Sequence, residues 1–132
     1  MFEPINPEAL GAPRGYSHGM LAPAGGRLLF VAGQTALGED GRIVDGGFVA
    51  QFERALERVV AVVQAAGGTA ANIGRMTIYV TSRADYLANL KPLGEAYRRV
   101  MGRHYPAMAL VEVAALVDEG AVVEVEATAV VP

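Results

Sequence analysis

The chain has 132 residues, no Cys, only two His and a net charge of −3, which excludes disulfides, thiolate chemistry and a His-rich metal site and offers no cationic surface for nucleic acid. The length suits one domain, so residues 1–132 are predicted to form a single unit. Apolar residues make up 52% of the sequence, above the roughly 45–50% of an ordinary soluble domain, so we expect some apolar surface to be buried between subunits.

The N-terminal segment, MFEPINPEALGAP, holds acids and prolines where a signal peptide would hold basic residues and an apolar core. The longest apolar runs, such as VVAVV, are too short to cross a bilayer. These features predict a cytoplasmic protein with no membrane partner.

Two apolar stretches, YSHGMLAP and RLLFVAGQT, follow between Tyr16 and Thr35. The AGG between them, at residues 24–26, supplies the positive-φ positions that a tight turn needs, so this region is predicted to form a β-hairpin. Apolar residues then recur at helical spacing and predict an amphipathic helix from about Phe48 to Ala66, ended by Gly67 and Gly68.

The alternating, β-branched segment IGRMTIYVTS predicts a strand over residues 73–81. Ser82 and Asp85 resemble a capping box with Asp in place of Glu, which predicts that a second helical region begins there. Pro92 should either kink this region or start a new helix at its first turn. The apolar side of the region consists of Tyr86, Leu87, Leu90, Leu93, Tyr97 and Val100.

Two more strands, MALVEVAAL and AVVEVEATAVV, are predicted after Pro106. In the last strand Val123, Val125, Ala127 and Ala129 alternate with Glu124, Glu126 and Thr128, so one face should pack on helices and the other should be polar. The order of elements predicts an α+β fold with two helices over one face of a mixed sheet.

Common catalytic motifs are absent, since GxxxxGK, GxGxxG after a strand, HExxH and GxSxG do not occur. No cofactor and no metal are therefore expected. An active site would have to be assembled from scattered residues, across subunits.

Four stretches span nearly the whole chain, and they are APRGYSHG (12–19), LLFVAGQTALGEDGRIV (28–44), RMTIYVTSRADY (75–86) and YPAMALVEVAALVDEGAVVEVEATAVV (105–131). Together they resemble the RidA/YjgF-type proteins, which are enamine/imine deaminases formerly described as translation inhibitors or endoribonucleases. The resemblance implies a chorismate-mutase-like α+β fold assembled as a barrel-like homotrimer, with sheets inward, helices outward and small-molecule pockets at the three subunit interfaces.

The resemblance also implies site residues. Glu124 matches the acidic residue that orients the water attacking an imine carbon, and Glu126 on the same face could raise the proton affinity of Glu124 by like-charge repulsion. The residues implied to contact the substrate are Tyr16, Ser17, Gly33, Gln34, Ala107 and Met108.

Met108 departs from the family pattern. It stands where the catalytic members carry an Arg that grips the carboxylate of a 2-imino acid, and a thioether cannot reproduce that bidentate contact. A cation elsewhere could replace the lost contact, and the candidates are Arg14, Arg58, Arg103 and His104.

Two functions remain open. The chain is either a deaminase of enamines or imines other than the usual 2-imino acids, or a non-catalytic trimer that binds a small metabolite in a regulatory or protective role. In the first, Glu124 would position or deprotonate water, backbone N–H groups near Gly33 and Ala107 would stabilise developing charge, and Tyr16 would cover the site. A nuclease function, taken from the older family descriptions, is disfavoured by the acidic charge balance.

Overall fold

The computed structural model describes all 132 residues. Two single-turn 3₁₀ segments, Glu8–Leu10 and Ala70–Asn72, lie between the main elements. In chain order the strands and helices are β1 Glu3–Ile5, β2 Gly19–Leu21, β3 Arg27–Gln34, α1 Gly47–Ala65, β4 Ile73–Val80, α2 Arg83–Ala88, α3 Leu90–Met101, β5 Ala107–Glu112 and β6 Val123–Val131.

The main sheet contains four strands in the order β3-β6-β4-β5. β6 is antiparallel to both of its neighbours, whereas β4 and β5 run parallel. A parallel pair requires a crossover connection, which α2 and α3 supply between β4 and β5. The predicted α+β fold, with helices laid over one face of a mixed sheet, is confirmed.

The hydrophobic core lies between the helices and one face of this sheet. Leu56 and Val59 of α1 are completely buried there, together with Met76 of β4 and Val125 of β6. In β6 the predicted alternation holds, because every second residue is buried and Glu124 and its same-face neighbours are half-buried on the other side.

Helix α1 confirms the predicted helix with a shift of one residue at each end. Its C-terminus is closed by the N–H groups of Gly67 and Gly68, which donate to the carbonyl oxygens of Gln64 and Val63 at 2.9 and 3.0 Å. Gly67 has a φ of 90°, so this Schellman arrangement uses the residue that best tolerates the left-handed conformation.

The second helical region is two helices. Ser82 caps α2 as predicted, since its Oγ accepts a hydrogen bond from the N–H of Asp85 at 3.1 Å. Pro92 lies in the first turn of α3, where its missing N–H removes no intrahelical hydrogen bond. The proline therefore belongs to the start of a new helix, which was one of the two predicted outcomes.

The predicted β-hairpin between Tyr16 and Thr35 is wrong. Gly25 and Gly26 do adopt positive φ, but the strands that flank them do not pair with each other. β2 pairs with β1, and β3 pairs with β6. The nonlocal pairing prevails because β2 has only three residues, whereas β6 offers β3 a long partner inside the sheet.

No helix covers the second face of the main sheet, which is called the open face below. Phe30 and Leu28 of β3 are 73% and 60% exposed on this face, beside the polar residues of β6. Exposed apolar side chains of this size are typical of an interface, but the expected homotrimer stays a prediction. None of the helices combines the length and the apolar character needed to cross a bilayer.

Candidate functional site

A β-bulge in β3 positions the predicted site residues of this strand. Val31 and Gln34 are three residues apart, yet they pair with residues of β6 that are two apart. The extra residue places both side chains on the core side of the sheet and leaves Gly33 on the open face, against Glu124. Gly33 and Gln34 would face opposite sides in any regular strand, and the bulge decides that Gly33 takes the open face and Gln34 the helix side.

Gly33 makes room for the carboxylate of Glu124. A Cβ atom at position 33 would lie 2.6 Å from Glu124 Oε2 and 2.9 Å from its Cδ, well inside van der Waals contact. Gly33 is not among the glycines with positive φ, so the backbone does not require glycine here. A side chain at position 33 would instead push aside the Glu124 carboxylate, so glycine allows this carboxylate to stay where it lies.

The two carboxylates of β6 on the open face are held differently. Glu126 accepts a hydrogen bond from the Tyr79 hydroxyl at 2.6 Å, and this bond raises the pKa of Tyr79 above its usual value. Glu124 is half-buried and takes part in no hydrogen bond or salt bridge. Of the two carboxylates, Glu124 is the one with its acceptor oxygens free.

A second group of predicted site residues lies at the free edge of β5. Ser17 forms a one-residue parallel bridge with Ala107, and its buried hydroxyl donates to the carbonyl oxygen of Tyr105 at 2.6 Å. The Tyr16 ring packs edge-on against His18, with ring centroids 5.3 Å apart. Ser17 thus anchors the segment that places Tyr16 beside β5.

Met108 and Glu124 lie on opposite faces of the sheet. Met108 pairs in register with the buried Met76 and so faces the helices, whereas Glu124 faces away from them. Glu124 is level with Tyr79 of β4 and Val111 of β5. Two strand spacings of about 4.8 Å and three residues of about 3.3 Å separate the backbones of Met108 and Glu124 by roughly 14 Å. This separation disfavours a small substrate that contacts both residues of the same chain.

Gln34 and Arg58 satisfy each other on the helix side of the sheet. Gln34 Oε1 accepts a hydrogen bond from Arg58 Nε at 3.1 Å, and Gln34 Nε2 donates to the Ala32 carbonyl oxygen at 3.1 Å. The His104 ring lies 2.6 Å from the Ile73 carbonyl oxygen through Nε2. Arg58 Nε and His104 Nε2 are therefore engaged, whereas the terminal guanidinium nitrogens of Arg58 take part in no hydrogen bond.

An apolar groove of about 550 Å³ opens between α3 and β5, on the helix side of the sheet. Most of its lining residues are hydrophobic, and its buried floor includes Phe52, Ile78 and Leu93. Tyr16 and Met108 also line it. A volume of several hundred Å³ with apolar walls is typical of small-molecule sites.

Sequence reasoning missed Tyr79 and Arg75. Tyr79 binds Glu126, and Arg75 lines a second cavity of about 330 Å³ with Tyr16 and Ala107 at the β5 edge. The alternation of β4 carries the signal, because it places Arg75 and Tyr79 on its polar side. Their partners could not be named without the strand register.

The chain matches the family model described as Endoribonuclease L-PSP over residues 6–131. The chain belongs to this family, the RidA/YjgF family. The resemblance carried by the four sequence stretches is therefore confirmed.

Relatives in the RidA/YjgF family match this chain over nearly its full length. Protein DfrA of Myxococcus xanthus is 35% identical over 125 residues, which are 94% of this chain and 88% of that protein. A 2-iminobutanoate/2-iminopropanoate deaminase of Capra hircus is 32% identical over 127 residues, 94% of this chain and 83% of the deaminase. The crystal structure of the Rid family protein YyfB of Yersinia pestis, described as of unknown function, is 31% identical with a TM-score of 0.86 and covers 98% of both chains.

Proposed function

We propose that this RidA/YjgF chain hydrolyses the C=N bond of an imine, or of the enamine in equilibrium with it, and that Glu124 is the general base. One observation carries the proposal: the Glu124 carboxylate is unpartnered and lies against Gly33, while the neighbouring Glu126 is tied to Tyr79. The identity with the deaminase of Capra hircus supports the reaction class.

The reaction requires both protons of one water molecule to reach the nitrogen. Glu124 accepts the first proton as the water oxygen attacks the imine carbon and the C=N π electrons move to nitrogen, and the return of this proton to nitrogen gives a carbinolamine. Glu124 then takes the proton of the carbinolamine hydroxyl and passes it to the amine nitrogen, the C=O bond forms as the C–N bond breaks, and the products are ammonia and a carbonyl compound. Backbone N–H groups near Gly33 and Ala107 would stabilise the developing charge.

We further propose that the complete site forms between two copies of the chain, in a homotrimer. Glu124 and Gly33 form one half-site on the open face, and Tyr16 and Met108 form the other at the β5 edge. The roughly 14 Å between Met108 and Glu124 within one chain favours contributions from two chains.

Subunit complementation tests the shared site. Tyr16→Ala and Glu124→Gln each remove a different half-site, so each variant alone should lose turnover. Mixed oligomers reassembled from both variants should regain a measurable fraction, because some interfaces then contain two intact halves. Failure to regain activity, with mixed oligomers verified by mass, contradicts a site between copies.

Substrate choice follows from Met108, which offers an apolar contact where an arginine would bind a carboxylate. The substrate is therefore an imine without an acidic group next to the reacting carbon. Met108→Arg should raise ammonia release from enzymatically generated 2-imino acids above the wild-type level. Equal or higher wild-type turnover of 2-imino acids would show that another residue holds the carboxylate.

The base assignment has a matched control on the same strand. Glu124→Gln should lower ammonia release by about 10²- to 10⁴-fold with unchanged folding, because a general base contributes a factor of that size. Glu126→Gln removes an equal charge two residues away but leaves the proposed base, so its loss should be much smaller. Equal losses in the two variants would refute the assignment of Glu124.

Non-catalytic binding of a small molecule is the second candidate. It is favoured by the apolar groove beside Met108, which needs no chemistry to hold a ligand. Binding without product formation across imines, enamines and amides would establish this function, and turnover that depends on Glu124 would reject it.

A further inference from the structure

The rim of the groove between α3 and β5 carries two arginines that have no acidic partner. Arg14 and Arg98 both line the groove, and both are exposed. The one salt bridge of the chain joins two other residues, Arg99 and Glu53. No Asp or Glu lines the groove, although acidic residues outnumber Lys and Arg in the whole chain.

Arg98 is held close to the helix that forms the groove wall. A Cβ atom at Gly94, one turn earlier in α3, would lie 3.4 Å from Arg98 Nη1. The guanidinium therefore folds back over the backbone of Gly94, which also lines the groove. A cation at the rim of an apolar cleft attracts an anion more strongly than one on open surface, because the cleft lowers the local dielectric.

The interior of the groove is suited to the aromatic or branched apolar part of a ligand. Tyr97 and Tyr105 stack there with ring centroids 5.2 Å apart and planes 8° apart. The Tyr97 hydroxyl donates to the His104 carbonyl oxygen at 2.5 Å, so its polar end is satisfied and its ring is available for apolar contact. Leu93 and Ile78 complete the buried floor.

We propose that this groove binds a monocarboxylate with a bulky apolar body, which fills the floor while its acidic group lies between Arg14 and Arg98. This inference rests on the proposed function, because Met108 and Tyr16 line the groove and belong to one half of the proposed site. It specifies the class of substrate that this half-site would bind. The carboxylate would be separated from the reacting end by the apolar body, unlike that of a 2-imino acid.

The test is calorimetric binding of three probes to the full chain at low ionic strength: 3-phenylpropanoate, its uncharged amide and propanoate. The acid should bind about 10-fold or more tightly than the amide, since a charge-assisted contact contributes at least that factor. Propanoate, which lacks the body, should not bind measurably.

The variants separate the rim from the floor. Arg14→Gln with Arg98→Gln should reduce the affinity for the acid to that for the amide and leave the amide unchanged. Arg83→Gln, at an exposed arginine of α2 that does not line the groove, should leave both affinities unchanged. Equal binding of acid and amide, an acid preference that survives the double variant, or no binding of either probe would each overturn the inference.

Binding is measured without turnover, so failure here is distinguishable from failure of the deaminase. A chain that binds 3-phenylpropanoate but releases no ammonia from any imine keeps this inference and loses the proposed reaction. A chain with turnover dependent on Glu124 but no binding in the groove keeps the reaction and loses the substrate class.

Discussion

Replacing Gly33 with Ala should separate catalysis from stability. The new Cβ would lie 2.6 Å from Glu124 Oε2, so restoring a normal contact of about 3.4 Å requires the carboxylate to move by roughly 0.8 Å. A displacement of about 1 Å at a reacting group costs up to about 100-fold in rate, so we expect kcat to fall by about 10- to 100-fold.

The stability of Gly33→Ala should change little. Gly33 is exposed and does not have a positive φ, so alanine fits the backbone of the folded state. Alanine also lowers the conformational entropy of the unfolded chain, which stabilises the folded state by about 0.4–1 kcal/mol. This gain offsets the cost of crowding the half-buried side chain of Glu124. The free energy of unfolding should stay within about 1 kcal/mol of wild type.

The assay is ammonia release at saturating substrate, with urea unfolding measured on the same preparations. Gly19→Ala is the matched control, because its Cβ would meet Ile5 at an ordinary 3.6 Å and Gly19 is remote from Glu124 in sequence and sheet. If Gly33→Ala keeps the kcat of wild type, the close approach of Glu124 to Gly33 has no role in catalysis. If the loss of activity matches the loss of folded protein, the glycine serves folding alone.

Three further predictions concern the fold. Leu56→Ala, at a completely buried position in α1, should lower the free energy of unfolding by about 2–5 kcal/mol in urea titrations, and a loss below 1 kcal/mol would contradict the packing. Ser82→Ala should cost about 0.5–2 kcal/mol because it removes the cap of α2, whereas Ser82→Asp should be nearly neutral. Burial raises the pKa of Tyr97 in the folded state. The stability that Tyr97 contributes should therefore be fully present below a pH of about 10 and decline above it, because there the tyrosine ionises in the unfolded chain while it stays neutral in the folded one. Tyr97→Phe should reduce that alkaline decline in unfolding experiments, and an unchanged decline would show that Tyr97 does not cause it.

Local pattern predicted the helices and most strands well. The bounds of α1, the cap at Ser82 and the alternation of β6 all follow from spacing within a few residues, which depends on contacts close in sequence. The β-hairpin failed because β3 had a local partner and a distant one, and only the assembled sheet shows that β6 is the partner used.

The candidate site was predicted less completely. The family resemblance predicted which residues belong to the site, but it did not predict which of them lie together. Gly33 and Glu124 are in contact, whereas Met108 lies on the other face of the sheet. Tyr79 was missed because its hydrogen bond to Glu126 joins residues of different strands, and its meaning depends on register.

The sequence by itself determined both helical regions, most of the strands, the apolar face of each, and the family to which the chain belongs. It did not predict the short strand β1, and it extended β5 past its end at Glu112. Periodicity and motif are properties of neighbouring residues, so they can be read without coordinates. The tertiary structure decided the strand order, the bulge at Gly33 and the separation of Met108 from Glu124. A shift of one residue in strand register moves every side chain to the opposite face, so only the complete pairing determines which predicted site residues can act together.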